Sequence, residues 1–311
     1  MPACPGRVRS IEAMRIACLG GAHLDIKAHL HAPARPGSSN PARFSRSPGG
    51  VACNVARNLA RLGVGTTLCS VVGTDPAAEA LLALVATDGV DTAGVSRDAE
   101  HPTASYLAIL DPDGSLVLGV ADTAVYDALH PTWADRAAER AASADLWVVD
   151  ANLPGPVLTR LLEIAPVPVF ADPVSAAKAG RLRPVLERFT AVFPDRAEAA
   201  MLAGGEAGDP AGSAEAIVAA GTDTVVVTLG GEGAHLRDAA GAITRPPIRS
   251  SRVVDVTGAG DALLAGFAFA FLSGEADPLG WGLAAASLTV ESEESVAPGL
   301  SVAAIRERLS A

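Results

Sequence analysis

Near the carboxyl end of the chain stands Val254-Asp255-Val256-Thr257-Gly258-Ala259-Gly260-Asp261-Ala262, followed by a run of small and apolar residues. Gly258 and Gly260 admit backbone shapes and close approaches that a side chain would obstruct, and Ala259 adds only a methyl group. Such a turn at a helix start offers free N–H groups and the positive end of the helix dipole to an anion. Asp261 places one carboxylate beside that anion. Amides facing a transferring phosphoryl group, with a carboxylate to take the proton of an attacking hydroxyl, are the parts that phosphoryl transfer to an alcohol requires. In that loose transition state the position of the base matters more than its strength. The plainer alternative is a glycine turn with an Asp cap. The length of DVTGAGDA and the tightly packing LLAGFAFAF behind it favour the chemical reading.

Other stretches can bring partners to this turn. Pro48-Gly49-Gly50-Val51-Ala52-Cys53-Asn54 leads into a segment where Val51, Val55, Leu59 and Leu62 share a helical stripe and Gly63 is a natural stop. Asn54 then sits in the first helical turn, its amide able to donate to and accept from sugar hydroxyls. Gly49 and Gly50 let the same ligand touch the backbone. In Gly21-Ala22-His23-Leu24-Asp25, Asp25 can accept two vicinal hydroxyls, and His23 reads as a structural or lid residue. Thr228-Leu229-Gly230-Gly231-Glu232-Gly233 breaks a buried strand into a glycine turn, which is either a backbone surface for a nucleotide or a tight hairpin. In Asp195-Arg196-Ala197-Glu198, Glu198 can hold a water-bound Mg²⁺, or it is one more acidic residue in a solvated first turn.

The elements that must position these residues follow a regular rhythm. Apolar runs at 16–19, 67–72, 146–149, 167–171, 191–193 and 224–229 alternate with helix-like stretches at 52–62, 77–87, 156–164 and 197–202. The continuous character of LWVVD and TVVVTLG predicts strands buried on both faces, and the alternation predicts a doubly wound α/β fold. Asp150, Asp172, Asp195 and Gly230 each end a strand, where open α/β sheets bind ligands. Any single Asp among them reads more readily as a loop opener or helix cap; their repetition points to one shared crevice. Residues 22–48 and 103–121 break the rhythm, the second as a hairpin turning at 111–114, and together predict a small β-sheet acting as a lid. Residues 1–14 read as a loose amino-terminal tail, and 15–311 as a single domain.

Composition narrows the classes. A net charge of −11 on 311 residues argues against broad nucleic-acid or membrane-surface binding. Only two lysines occur, Lys27 and Lys178, and no P-loop sequence is present. Cys4, Cys18, Cys53 and Cys69 show neither pairing nor zinc spacing, so buried free thiols in a reducing cytosol are expected. No secretory signal core or membrane-length apolar run is present, and no glycine fingerprint follows a strand as a dinucleotide-dependent dehydrogenase requires.

PGGVACNVARNLARLG and DVTGAGDALLAGF resemble, in order and spacing, the two signatures of the ribokinase (PfkB) family of sugar and nucleoside kinases, and the resemblance covers residues 15–305. It implies a ribokinase-like, mostly parallel sheet with helices on both faces, a β-sheet lid that often doubles as a dimer contact, and a reaction using ATP and Mg²⁺. By the resemblance Asp261 is the base, and Gly258, Ala259 and Gly260 form the anion hole. Asp25, Gly49, Gly50 and Asn54 hold the ribose-like part, while Thr228, Gly230, Gly233 and Asp195 contact the nucleotide. Glu198 matches the Glu of the family's Asn-x-x-Glu motif, with Asp195 in place of the Asn. Asp255 and Thr257 match the start of a loop that binds a monovalent cation such as K⁺ in many members, and Glu293 or Ser295 lies in the region that completes it. Within the family, Ser39-Asn40-Pro41, SYLAILDPDG, Asp150-Ala151-Asn152, PVFADPVSAAK and Glu293 are most similar to the pseudouridine-kinase branch. That similarity makes Asn40, Ser105 and Lys178 candidates at the substrate or lid. Ribose, adenosine or a sugar phosphate are alternative substrates, the last needing a cationic pocket from Arg43, Arg46 and Arg57. A non-catalytic nucleoside or sugar sensor is the alternative of a different class, disfavoured by Asp261 and its glycines.

Overall fold

The computed structural model describes residues 10–205 and 208–310. In chain order its strands are β1 (Arg15–Leu19), β2 (His23–Leu30), β3 (Ala42–Gly49), β4 (Gly65–Cys69), β5 (Val71–Val72), β6 (Ser96–Arg97), β7 (Ser105–Leu110), β8 (Leu116–Asp122), β9 (Leu146–Asp150), β10 (Val169–Asp172), β11 (Ala191–Val192), β12 (Thr224–Thr228), β13 (Ala234–Asp238) and β14 (Gly241–Arg245). The helices are α1 (Val51–Arg61), α2 (Pro76–Thr87), α3 (Ala124–Asp127), α4 (Thr132–Arg140), α5 (Gly155–Ile164), α6 (Ala176–Ala179), α7 (Arg196–Ala203), α8 (Pro210–Ala219), α9 (Ala259–Ser273), α10 (Pro278–Thr289) and α11 (Val302–Ser310).

The fold is ribokinase-like, as the sequence resemblance implies. The main sheet has eight strands in the order β14-β13-β12-β11-β10-β9-β1-β4, parallel except for β13 and β14. Alternate strand residues feed two cores. Ile16, Cys18, Leu146 and Val148 pack against α1, α2, α9, α10 and α11, whereas Ala17, Leu19, Trp147 and Val149 pack against α4, α5, α7 and α8. This two-sided burial explains why LWVVD is apolar without alternation. Small residues bring α9 and α10 close together: a Cβ on Gly266 would collide with the Trp281 carbonyl, and one on Gly282 with the Leu263 carbonyl. The antiparallel β13–β14 pair at one edge was not anticipated from the sequence, because its strands are only five residues long and β13 is interrupted by the polar residues His235, Arg237 and Asp238.

The second sheet has four strands in the order β3-β2-β7-β8 and comprises the two segments that break the α/β rhythm. β2 begins within three residues of the end of β1, so the lid sheet springs from the carboxyl end of the main sheet. Of the expected amino-terminal tail, residues 1–9 lie outside the described residues. Ile11–Ala13 form a 3-10 turn, and Met14 is wholly buried in the first core. Cys18, Cys53 and Cys69 are free and buried; Cys4 lies outside the described residues. Among the described residues no helix is long and apolar enough to cross a membrane.

Asp150, at the end of β9, fixes how these layers meet. Its side chain is fully buried, one oxygen accepting Gly21 N–H and Ala52 N–H and the other Asn152 N–H, each at 2.9 Å. Gly50 caps α1 but has no side chain to offer, so Asp150 serves the helix start from a different strand. Burial raises the Asp150 carboxyl above its usual range, against the pull of the three amides. Asp150→Ala leaves three donors buried without an acceptor, and a loss of about 3 kcal/mol or more is expected. Urea denaturation of the purified variant measures it, and a loss below about 1 kcal/mol would show that water replaces the carboxylate.

Candidate active site

The two glycine motifs meet at one hydrogen bond. Asn54, buried in the first turn of α1, donates through Nδ2 to Asp261 Oδ2 at 2.9 Å. Asp261 stands in the first turn of α9, whose cap Gly258 is left-handed with φ of 80°. A Cβ on Gly258 would also strike the Ser295 carbonyl, so only glycine fits there. Open space lies where a Cβ of Gly260 would stand. The Ala259 N–H donates to the Val256 carbonyl at 3.2 Å. Among the described residues the amides of Gly258, Gly260 and Asp261 keep no backbone partner, so the free donors at this helix start include Gly258 and Gly260 but not Ala259.

Gly50 adopts φ of 95°, and a Cβ there would run into the Gly21 carbonyl. A Cβ on Gly49 would overlap the Asp25 carboxyl, which places Asp25 directly over the start of α1. His23 Nε2 lies 3.1 Å from Asp25 Oδ1. The Asn54 Oδ1 acceptor and His23 Nδ1 are both buried without a partner, as expected of groups that face a ligand.

A hollow of about 820 Å³ joins the nucleotide candidates to the start of α9. Its lining includes Asp195, Thr228, Gly230, Gly233, Ala259 and Gly260. The glycine turn forms the hairpin that its sequence allowed, a 3-10 turn at 230–232 joining β12 to β13, and its residues line the hollow. Sequence reading missed further lining from Pro247, Ile248, Val253, Val256, the α10 residues Leu283 and Ala286, and Val290 just after that helix. The exposed valines of RVVDV, with Val253 at 66% and Val256 at 69%, were the available signal, since apolar side chains left in water beside a glycine turn ask for a flat ligand.

Asp195 and Glu198 form a reciprocal capping box: Glu198 N–H donates to Asp195 at 2.8 Å, and Asp195 N–H donates to Glu198 at 2.7 Å. Glu198 is therefore a helix cap, yet buried rather than solvated. Burial and the repulsion of Asp195 and Asp261 push its carboxyl up to about 7, against the backbone bond. Asp172, at the end of β10, is raised well above its usual range by burial and then by Glu198 and Asp261. The loop after it is strained, since Val174 holds φ of 68° while its N–H donates to Asp172 at 2.7 Å. That loop enters α6, whose Lys178 donates to Asn152 Oδ1 at 2.7 Å. Burial lowers the Lys178 pKa.

Other candidates stand elsewhere. Asn40 is consumed by its own loop, accepting from Arg35 N–H at 2.9 Å and donating to the Arg35 and Ser38 carbonyls. It lies beyond the far end of the β2–β3 pair from Asp25. Ser105 pairs with Leu24, on the face opposite Asp25; Tyr106 is the β7 residue that pairs with Asp25. Asp255 does not stand open for a cation. Lys27 Nζ lies 2.7 Å from Asp255 Oδ2, while Thr257 donates to Oδ1 through its N–H at 2.9 Å and its hydroxyl at 2.7 Å. Burial opposes ionisation of Asp255, but the Lys27 and Thr257 hydrogen bonds outweigh it and hold the carboxyl below its usual range. The Asp255 carboxylate, which the sequence resemblance placed at the start of a K⁺-binding loop, is thus already engaged by protein groups.

Comparison with known proteins bears on this arrangement. The profile of the pfkB family carbohydrate kinases matches residues 14–301. A pseudouridine kinase from Escherichia coli is 31% identical over 294 residues, covering 93% of this chain and 94% of that one. A carbohydrate kinase from Agrobacterium tumefaciens superposes with a TM-score of 0.85 at 32% identity, over 96% of this chain and 97% of the other. A ribokinase from Arabidopsis thaliana, complexed with ribose and ATP, shares the fold with a TM-score of 0.81 at 23% identity, over 96% and 99% of the two chains.

The electrostatics of Asp261 yield a test. Burial pushes its carboxyl up to about 7, aided by repulsion from Asp150 and Asp25 and opposed by the Asn54 hydrogen bond and His23. Between the ordinary carboxylate range and about pH 7 the folded protein keeps a proton here that the unfolded chain has released, so this group's contribution to stability falls as pH rises through that window. Asp261→Asn, which carries no charge, is expected to melt above the wild type at pH ~8, with the margin shrinking towards pH ~4. Identical melting curves at both values would contradict the buried charge.

Proposed function

The chain belongs to the pfkB family of carbohydrate kinases, a phosphotransferase family with hydroxyl acceptors, and from that membership we propose that it transfers the γ-phosphoryl group of ATP to the 5′-hydroxyl of pseudouridine. The observation that carries the nucleoside reading is the Lys178–Asn152 contact of 2.7 Å beside the Asp150 hub, with Asn152 Nδ2 buried and unpartnered. An ammonium and an orphaned amide donor suit the carbonyl edge of a uracil ring, which ribose by itself lacks. The similarity to a pseudouridine kinase over nearly the whole chain supports the same acceptor. A sugar phosphate fits less well. Arg57 is committed to Asp88 at 2.6 Å, Arg46 pairs with Ile26 on the face away from Asp25, and Arg43, on the Asp25 face, pairs with His29 farther along β2.

In this reading Asp25 accepts the vicinal ribose hydroxyls, and Gly49 and Gly50 let the sugar lie against the backbone. Asn54 holds Asp261 Oδ2, leaving Oδ1 for the proton of the 5′-hydroxyl. The Gly258 and Gly260 amides at the start of α9 stabilise charge on the transferring group. The Thr228–Gly233 turn and the valine wall take the nucleotide, with Asp195 at its edge. Mutual repulsion among Asp172, Glu198 and Asp261 is what a cation in the crevice would relieve, so Glu198 with Asp172 suits a water-bound Mg²⁺. Such an ion, when bound, neutralises phosphate charge. Among the described residues no three such side chains could hold a bare ion, which leaves water and phosphate oxygens to complete the shell. The lid also offers a homodimer contact, because edge strand β8 exposes Leu116, Leu118 and Val120 at 58%, 53% and 51%.

Phosphate transfer from ATP to pseudouridine, uridine, adenosine, cytidine and ribose, assayed side by side, tests the acceptor. Pseudouridine is expected to lead in kcat/KM; indifference to it with fast turnover of ribose would overturn the assignment. Asp261→Asn is expected to lower turnover by about 10²–10⁴, and unchanged turnover would remove it as the base. Sedimentation tests the lid contact: Leu118→Glu should convert a dimer to a monomer, and a wild-type monomer at every concentration would dismiss it.

A further inference from the structure

Lys27 is one of only two lysines in the chain, and it projects from the lid sheet onto the loop that leads into the anion hole. It lies two residues beyond Asp25 on β2, hence on the same face, and it reaches across to Asp255 in a chain segment 228 residues away. Both side chains are partly buried, at 23% and 27% exposure, so the pair is shielded from the screening that makes surface ion pairs weak. With Thr257 on its other oxygen, the Asp255 carboxylate already accepts from three donors of its own protein. A potassium or sodium ion at this carboxylate would have to compete with an ammonium that is covalently tethered and therefore present at high effective concentration.

We propose that the Lys27 ammonium takes the place of a monovalent cation at the Asp255–Thr257 loop, so that this protein binds nucleotide and turns over without such an ion. The charge comes from the strand that carries Asp25. One ion pair therefore sets the Thr257–Gly260 turn and anchors the substrate-holding strand above it. Lys27 is a positioning residue: it acts through Asp255 and touches no reacting atom. The inference rests on the kinase reading for its effect on turnover, but its effect on the loop can be measured apart from catalysis.

The experiment exchanges potassium for N-methylglucamine at matched ionic strength, for the wild type, Lys27→Met and Lys27→Arg. It reads melting temperature, affinity for a fluorescent ATP analogue, and kcat. The wild type is expected to be indifferent to the exchange in all three. Lys27→Met is expected to lose about tenfold in analogue affinity in N-methylglucamine and to recover part of it in potassium, which a merely structural lysine would not permit. Lys27→Arg should resemble the wild type. A severalfold rise of wild-type affinity or melting temperature in potassium would overturn the proposal, as would Lys27→Met behaving like the wild type in both media. Should Lys27→Met not fold, the wild-type exchange alone decides. Absence of phosphate transfer in either medium would count against the kinase reading, while affinity and melting would still judge Lys27.

Discussion

Three backbone amides from three parts of the chain converge on the Asp150 carboxylate, and the site is assembled outward from that point. A buried carboxylate is tolerable only when its lone pairs are met. Meeting them draws the end of β1, the start of α1 and the end of β9 into one small volume. The neighbouring glycines record how tight that volume is. A Cβ on Gly20 would overlap the Asp150 carboxyl, and one on Gly21 would overlap the Asn152 amide. With Ala52 N–H held, Asn54 two residues on is aimed at Asp261 in α9. A contact between residues 207 apart in sequence thereby follows from a capping interaction.

The same economy of space gathers negative charge. Asp150, Asp172, Glu198 and Asp261 share the carboxyl end of the sheet; burial raises the pKa of all four, and repulsion between carboxylates adds to it at Asp172, Glu198 and Asp261. In an unliganded protein this arrangement is destabilising, and perturbed carboxylates of this kind cluster at functional sites. Positive charge is placed sparingly in answer. Lys178 sits on Asn152 beside the Asp150 hub and Lys27 on the loop before α9, while Arg57 and Arg61 are bound to Asp88.

Much of this was legible because period and spacing are local properties. The strand at 146–150 announced itself as an unbroken apolar run, and it proved buried on both faces. The stripe of Val51, Val55 and Leu59 announced α1, and the hairpin at 103–121 formed about the turn expected for it. Three features were hidden for physical reasons. Asn40 looked like a ligand-holding amide, but its oxygen and nitrogen satisfy a loop whose shape no sequence period describes. Ser105 and Tyr106 are neighbours in sequence yet lie on opposite faces of β7, and the β2–β7 register decides which one faces Asp25. Lys27 read as one more charge, because an ion pair across 228 residues leaves no mark on either segment.

The sequence by itself determined the alternation of strand and helix, the two glycine-rich helix starts, and the residue types for anion binding and proton transfer, since these depend on side-chain size, backbone freedom and period. Tertiary structure alone decided which groups meet. It gave the Asp150 carboxylate to the start of α1, joined Asn54 to Asp261, turned Glu198 into a cap, set Lys178 on Asn152, and filled the Asp255 carboxylate with Lys27. Those outcomes rest on strand order and register, which bring distant segments within hydrogen-bonding reach only once the layers have packed.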